Sequence, residues 1–406
     1  MTTHARARSI NVLASGLAVA VLLIVAGLLA STASAAKPAK GPSGDAFYNP
    51  PKKLPVSNGR LIWSRKAKGL APIEGAASNT LVLYTSKSPQ GRTVAVSGSV
   101  SIPEGKPPKG GWPVISYGHG TTGTADSCAP TRVAAKGPVA GYVDYVDPEL
   151  EDWIDAGYVV ARSDFQGLGT PGDHPYLVGK AEGRSMLDIV SAAEQVEHRL
   201  GDRYLLAGHS QGGHAALFAA GEAKTYSKKL KLQGTVAYAP ASHIVEQAQL
   251  LPALTTPSGL SALAALIVEG AATETGQIKI PELLSDEALA LFPQVDQTCL
   301  AQLSEPDSFG GIAPSDLIRD GAETGPLFEV LRAENPAVKT AAPILLAQGS
   351  DDTTVFPMFT EQLNDELVEL GNTVDYKVFD GVDHGEIPSA AEGDAMKFFK
   401  RRLPPK

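Results

Sequence analysis

Residues 203–223 read RYLLAGHSQGGHAALFAAGEA. The apolar run Tyr204, Leu205, Leu206, Ala207 is short and continuous, as a buried strand requires, and the small residues that follow Gly213 suit a helix packed closely on that strand. Between them stand Gly208, His209, Ser210, Gln211 and Gly212, a Gly-x-Ser-x-Gly pattern. Where a strand turns this abruptly into a helix, the central residue is pushed out over the sheet edge on a strained corner. Glycines at 208, 212 and 213 meet the steric need for close packing around it. The pentapeptide is weak alone; the flanking strand and helix make it specific.

Outward from this corner the chain alternates strands and helices. LQGTVAYAPAS (232–242) reads as the next strand, WPVISYGHG (112–120) as an earlier buried one, and PELEDWIDAGYVVARSDFQGLG (148–169) as helix then strand. Met186, Leu187, Val190, Ala193, Val196 and Leu200 recur near helical spacing, predicting a helix over residues 182–200. Residues 79–105 alternate apolar and polar residues on both sides of a Pro-Gln-Gly turn, an antiparallel hairpin. Such alternation implies βαβ crossovers. The fold class expected is α/β, a mostly parallel sheet flanked by helices. From residue 243 to 339 the rhythm fails: SGLSALAALIVEG (258–270), PELLSDEALALF (281–292) and PSDLIRDG (314–321) look helical without strands between them. This stretch reads as an inserted helical cap or lid. Strand PILLAQGS, helix FPMFTEQLNDELVELGN, strand TVDYKVFDG and helix SAAEGDAMKFFKRRL then resume the pattern.

A serine hydroxyl is a poor nucleophile until a base takes its proton. His209 and His214 are near Ser210 in sequence, but side chains adjacent at a sharp turn diverge, and the helix aims residue 214 away from the tip. His4 lies in the N-terminal apolar leader, and His198 on a helix preceding the nucleophile; His119, His174 and His243 sit in other loops or at the cap entrance. His384, in FDGVDHGEIP (379–388), follows the last strand, and loops beyond strand C-termini gather on one edge of a parallel sheet. LLAQGSDDTTVFP (345–357) ends a strand with two aspartates, of which Asp352 is preferred to Asp351 as the carboxylate that orients the imidazole. Asp380 and Asp383 are rivals, but their closeness to His384 makes a side-on approach awkward. Charge developing on a substrate oxygen calls for backbone N–H donors. Gln211, at the helix start, is one candidate; Thr121 in HGTTG is the second, with Thr122 behind it.

The composition, 43% hydrophobic and 19% charged, is that of a globular chain. Arg6 and Arg8 precede an uncharged apolar stretch and the small residues Ala33-Ser34-Ala35, the layout of a secretory signal peptide. The run from 12 to 30 is nearly long enough to serve instead as an uncleaved anchor; either way the remainder faces outward. The expected organisation is a signal peptide at 1–35, a disordered leader at 36–44, a first core part at 45–242, the cap at 243–339 and a second core part at 340–406. Without residues 1–35, 33 basic groups stand against 44 acidic, a balance that repels phosphate backbones, so no nucleic-acid partner is expected. The two cysteines, Cys128 and Cys299, form either one disulfide, as export favours, or two separate buried thiols. GLGTPG (167–172) matches a dinucleotide fingerprint, but Asp173-His174-Pro175 stands where a helix should open onto pyrophosphate. With no His-Glu-x-x-His or cysteine cluster either, no cofactor and no metal are expected.

YGHGTTGTADSCAP, SDFQGLGTPGDHPYLVG, GHSQGGHAALFAAGE, LLAQGSDDTTVFP and GVDHG, in that order over residues 45–400, resemble the secretory lipase family, the lipase A-like branch of α/β-hydrolases. Ser210, Asp352 and His384 match its triad positions. The resemblance implies a helical cap over an acyl site and hydrolysis of carboxylic esters, from acylglycerols to alkyl or aryl esters and sometimes polyesters. The expectation is thus an exported serine ester hydrolase. The rivals are acyl transfer to a cell-envelope alcohol with the same triad, a peptidase, and a surface binding protein with a vestigial triad. The helix at 258–270 either faces lipid or packs inside the cap.

Overall fold

The computed structural model of the chain describes residues 38–405. The signal segment at 1–35 and the apolar run at 12–30 lie outside these residues. Among the described residues no helix is long and apolar enough to cross a membrane.

Nine strands form one sheet: β1 (Leu61–Lys66), β2 (Ala76–Lys87), β3 (Thr93–Pro103), β4 (Trp112–Gly118), β5 (Val159–Ser163), β6 (Leu200–His209), β7 (Lys231–Tyr238), β8 (Ile344–Gly349) and β9 (Val374–Phe379), ordered β1-β2-β3-β5-β4-β6-β7-β8-β9. From β5 to β9 all pairings are parallel. β1, β2 and β3 add an antiparallel edge that contains the expected hairpin, with Lys87 paired to Thr93 beside its turn.

Period-two alternation on β6 sends Tyr204 and Leu206 to one face, where they pack with helices α2 (Gly179–Val196) and α3 (Gln211–Tyr226). Leu205 and Ala207 go to the other, against α1 (Asp147–Ala156) and the C-terminal helix. Alanines at 215, 216, 219, 220 and 223 let α3 lie close on the sheet and on α2. The helix expected to reach Leu200 ends at Val196. Leu200 instead pairs with Trp112 at the start of β6, because the chain turns at Glu197, whose carboxylate holds the Arg199 side chain and N–H. Two helices follow the insertion.

Between Tyr238 and Ile344 lie α4 (Ile244–Ala248), α5 (Leu260–Ala272), α6 (Ile280–Leu283), α7 (Asp286–Leu291), α8 (Leu300–Leu303) and α9 (Gly325–Ala333), then α10 (Pro357–Glu369) and α11 (Ile387–Arg402) in the returning core. The inserted helices share their own apolar cluster, with Leu266, Leu284, Val295, Leu303, Phe309 and Leu317 buried. One face of α5 packs inside, with Ala262, Ala265, Leu266 and Val268 in that cluster, while Leu263 and Ile267 line a cavity that is partly open to solvent. Cys128, after β4, and Cys299, at the start of α8, are joined in a disulfide across 171 positions. The leader expected to be disordered over 36–44 differs in its described part. Ala39 accepts from the Ser64 N–H at 2.9 Å and Gly41 donates back at 3.1 Å, laying the chain along β1, where Gly41 fits against Trp63 and Phe47.

Candidate active site

Ser210 lies between the end of β6 and the start of α3 with φ 56° and ψ −116°, a conformation costing roughly 1–3 kcal/mol that persists only where surroundings enforce it. Its N–H donates to the Tyr238 carbonyl at 2.9 Å, and its carbonyl accepts from His214 at 3.0 Å. A Cβ at Gly212 would stand 1.9 Å from the Gly118 carbonyl oxygen, and one at Gly208 would stand 2.1 Å from that of Gly212. Only glycine fits either place.

Asp352 and His384 come from the loops after β8 and β9, on the strand edge that carries Ser210. His384 Nε2 is 3.0 Å from Ser210 Oγ, and His384 Nδ1 is 2.7 Å from Asp352 Oδ2. Asp352 is buried, and it also accepts from Gln348 Nε2 at 3.0 Å and from the Thr354 and Val355 N–H groups at 2.8 Å. These donors fix the carboxylate, which fixes the proton on Nδ1 and leaves the Nε2 lone pair toward the serine. Asp351 is exposed and accepts from Ser350 Oγ; Asp380 is exposed; Asp383 accepts from the Glu386 N–H at the start of α11. None of these three hydrogen-bonds the imidazole.

Gln211 is the first residue of α3, and Thr121 lines the cavity beside Ser210. Neither backbone N–H has an acceptor among the described residues. Thr122 is fully buried, and its carbonyl accepts from Leu300 N–H at 2.9 Å, which ties it to the insertion rather than to the cavity. Thr121 Oγ1 pairs with the Tyr176 hydroxyl at 2.7 Å. The Gln211 side chain is anchored on Glu182 Oε1 at 2.7 Å and on His174 Nε2 at 3.0 Å, a buried polar network with no local sequence signal.

His4 lies outside the described residues and His198 is exposed, while His214 and His243 are engaged elsewhere. His214 Nε2–H donates to the Glu334 carbonyl at 3.0 Å, and His243 pairs with Glu366 at 2.9 Å. Burial pushes His119 down to about 4 and also lowers His174. His209 is turned from Ser210 toward the His384 backbone, and burial, with His384 beside it, holds it well below the ordinary range. GLGTPG forms part of the loop between β5 and α2, and α2 opens only at Gly179. Among the described residues no group of three or more His, Cys, Asp or Glu is arranged to hold a metal ion.

Ser210 and His384 open on a cavity of about 1150 Å³ whose far walls come from the insertion, including Leu263, Ile267, Leu327 and Phe328. Such a space, apolar with a few convergent polar groups at one end, is the usual form of a small-molecule site.

A family model described as secretory lipase matches residues 145–312. Lipase A of Moesziomyces aphidis is 27% identical over 236 residues, which cover 56% of this chain and 49% of the relative, so the match spans about half the relative's length. Candida antarctica lipase A in its closed state superposes with a TM-score of 0.69 at 20% identity, covering 83% of this chain and 80% of that one. The rice cell wall degrading esterase LipA of Xanthomonas oryzae gives 0.69 at 20% identity, with 86% and 98% covered. The sheet order, its flanking helices and these superpositions show the α/β-hydrolase fold. The matched model and the lipase A relative make this chain similar to secretory lipases over part of its length.

Proposed function

We propose that the protein is an exported serine hydrolase of carboxylic esters, a lipase or esterase acting through Ser210, His384 and Asp352. The observation that carries this reading is the unbroken hydrogen-bonded line Ser210 Oγ, His384 Nε2, His384 Nδ1, Asp352 Oδ2 at the mouth of an apolar cavity. Ser210 Oγ attacks the ester carbonyl carbon while His384 Nε2 takes its proton; Asp352 orients the ring and stabilises the imidazolium that forms. The carbonyl oxygen, now negative, is held by the Gln211 and Thr121 N–H groups. Collapse expels the alcohol, which takes the proton from His384, and leaves an acyl group on Ser210. Water then attacks with His384 again as base, and the carboxylic acid departs. An ester whose acyl or alcohol part is largely apolar suits the walls supplied by the inserted helices, which serve as a cap. The N-terminal signal pattern and the similarity to secretory lipases support export.

Replacing Ser210 with alanine tests the reading on nitrophenyl esters. The expected result is a loss of kcat of about 10⁴-fold or more with loss of fluorophosphonate labelling. Undiminished turnover overturns it.

A further inference from the structure

His209 separates the glycine of the elbow from its serine, and its ring is fully engaged on the opposite side from Ser210 Oγ. Nε2–H donates to the carbonyl oxygen of His384 at 2.9 Å. Nδ1 accepts from the Tyr145 hydroxyl. The two imidazole rings of His209 and His384 lie with centroids 4.6 Å apart. Tyr145 precedes α1 and abuts the oxyanion loop, since a Cβ on Gly120 would stand 2.8 Å from its hydroxyl oxygen. Through one ring, then, the serine corner, the His384 loop and the Gly120–Thr121 loop are joined.

We propose that His209 is a positioning residue for the base: its Nε2–H clamps the His384 carbonyl and so fixes where the His384 ring stands relative to Ser210. This rests on the reading that Ser210 and His384 react together. The loop is tied on either side of His384, by the Asp351 N–H on the Val382 carbonyl at 3.0 Å and the Glu386 N–H on Asp383 Oδ1 at 2.9 Å, but the His384 carbonyl itself has His209 as its partner among the described residues. A clamp from the residue before the nucleophile holds that carbonyl in place. The clamp also needs to stay uncharged while His384 becomes an imidazolium 4.6 Å away, since a second cation there opposes proton uptake. Burial and the proximity of His384 itself keep His209 neutral, and Tyr145 on Nδ1 leaves the single proton on Nε2.

The test compares His209→Phe, which keeps a ring but loses both nitrogens, with His209→Gln, whose side-chain amide restores a donor toward the His384 carbonyl. kcat and KM are measured on a nitrophenyl ester alongside thermal midpoints and Ser210→Ala. The Phe variant is expected to lose roughly 10- to 100-fold in kcat with KM within about twofold, the scale of a displaced reacting group. The Gln variant is expected to recover kcat to within about fivefold of the parent. Unchanged kcat in the Phe variant overturns the proposal, as does a folded Gln variant as slow as the Phe one. Should the Phe variant fail to fold, the Gln variant decides: a loss there beyond tenfold, on the ~10²-fold scale of misplacement, overturns it equally. Activity surviving Ser210→Ala instead removes the underlying reading, so the two failures are distinct.

Discussion

On the sheet side of the cavity, Ser210 stands at a corner with no spare volume, its glycine neighbours pressed on backbone carbonyls and the strand beneath it buried through its last six residues. On the other side the wall is built from helices of four to 13 residues and the fit is mixed: a Cβ on Gly276 would meet nothing within 4 Å, whereas one on Gly310 would stand 1.9 Å from the Ser304 carbonyl oxygen. Helices this short do not hold themselves in water. They persist through a shared apolar cluster and one covalent tie, Cys128 to Cys299, to the loop after β4. Ser210 thus stands at the end of a buried strand of the central sheet, whereas the apolar wall rests on short helices that depend on one another and on the disulfide.

Alanine at two glycines breaks this comparison most sharply. Gly212→Ala forces a methyl against the Gly118 backbone, which the β4–β6 pairing holds, and is expected to cost more than about 4 kcal/mol and leave little folded protein. Gly276→Ala is expected to change stability by less than about 0.5 kcal/mol. Chemical denaturation and soluble yield measure both; equal effects would show that the corner is not tighter than the insertion.

Replacing Cys128 and Cys299 together with serine weakens the side built from short helices. The tie closes a loop of 171 positions, and its loss is expected to lower stability by about 2–4 kcal/mol. Limited proteolysis should then cut first within residues 239–343, while covalent labelling of Ser210 survives in the intact chain. An unchanged thermal midpoint would mean that the apolar cluster alone holds the insertion.

The same contrast separates what the sequence made legible from what it hid. The serine corner is a local pattern, written in glycines that the backbone demands, and the alternating elements on either side specify the sheet. His384 was found through chain direction, since loops after parallel strands share an edge. Asp351 and Asp352 stand side by side in sequence with nothing local to separate them beyond a preference for Asp352, and the structure puts Asp352 on the imidazole and Asp351 in solvent. Long-range polar pairs left no such trace: Tyr145 reaches His209 across 64 positions, and His209 reaches the His384 carbonyl across 175. The turn at Glu197 was likewise hidden, because Leu200 continues a helical apolar spacing that strand pairing overrides.

Two half-buried carboxyls, one on each side, give the smallest test. Glu269 on α5 is raised chiefly by burial, with Asp296 adding to it. Glu392 on α11 is raised by burial to about 8, with Glu149 and Asp152 of α1 adding, while the Trp153 indole N–H donates to its oxygens at 3.1 and 3.2 Å. The unfolded chain releases this proton near the ordinary 4.5, whereas the folded chain keeps it to about 8. The folded form therefore binds more protons between those values, so this group's contribution is complete below about 4.5 and is lost as pH rises through 8. Glu392→Gln keeps the acceptor for Trp153 and removes the titration. Its denaturation midpoint is expected to match the parent at about pH 5 and exceed it at about pH 8.5. Since α11 packs on the sheet, the gain should appear in global unfolding, whereas Glu269→Gln should act on proteolysis of the insertion; identical readouts would show that the two regions unfold as one unit.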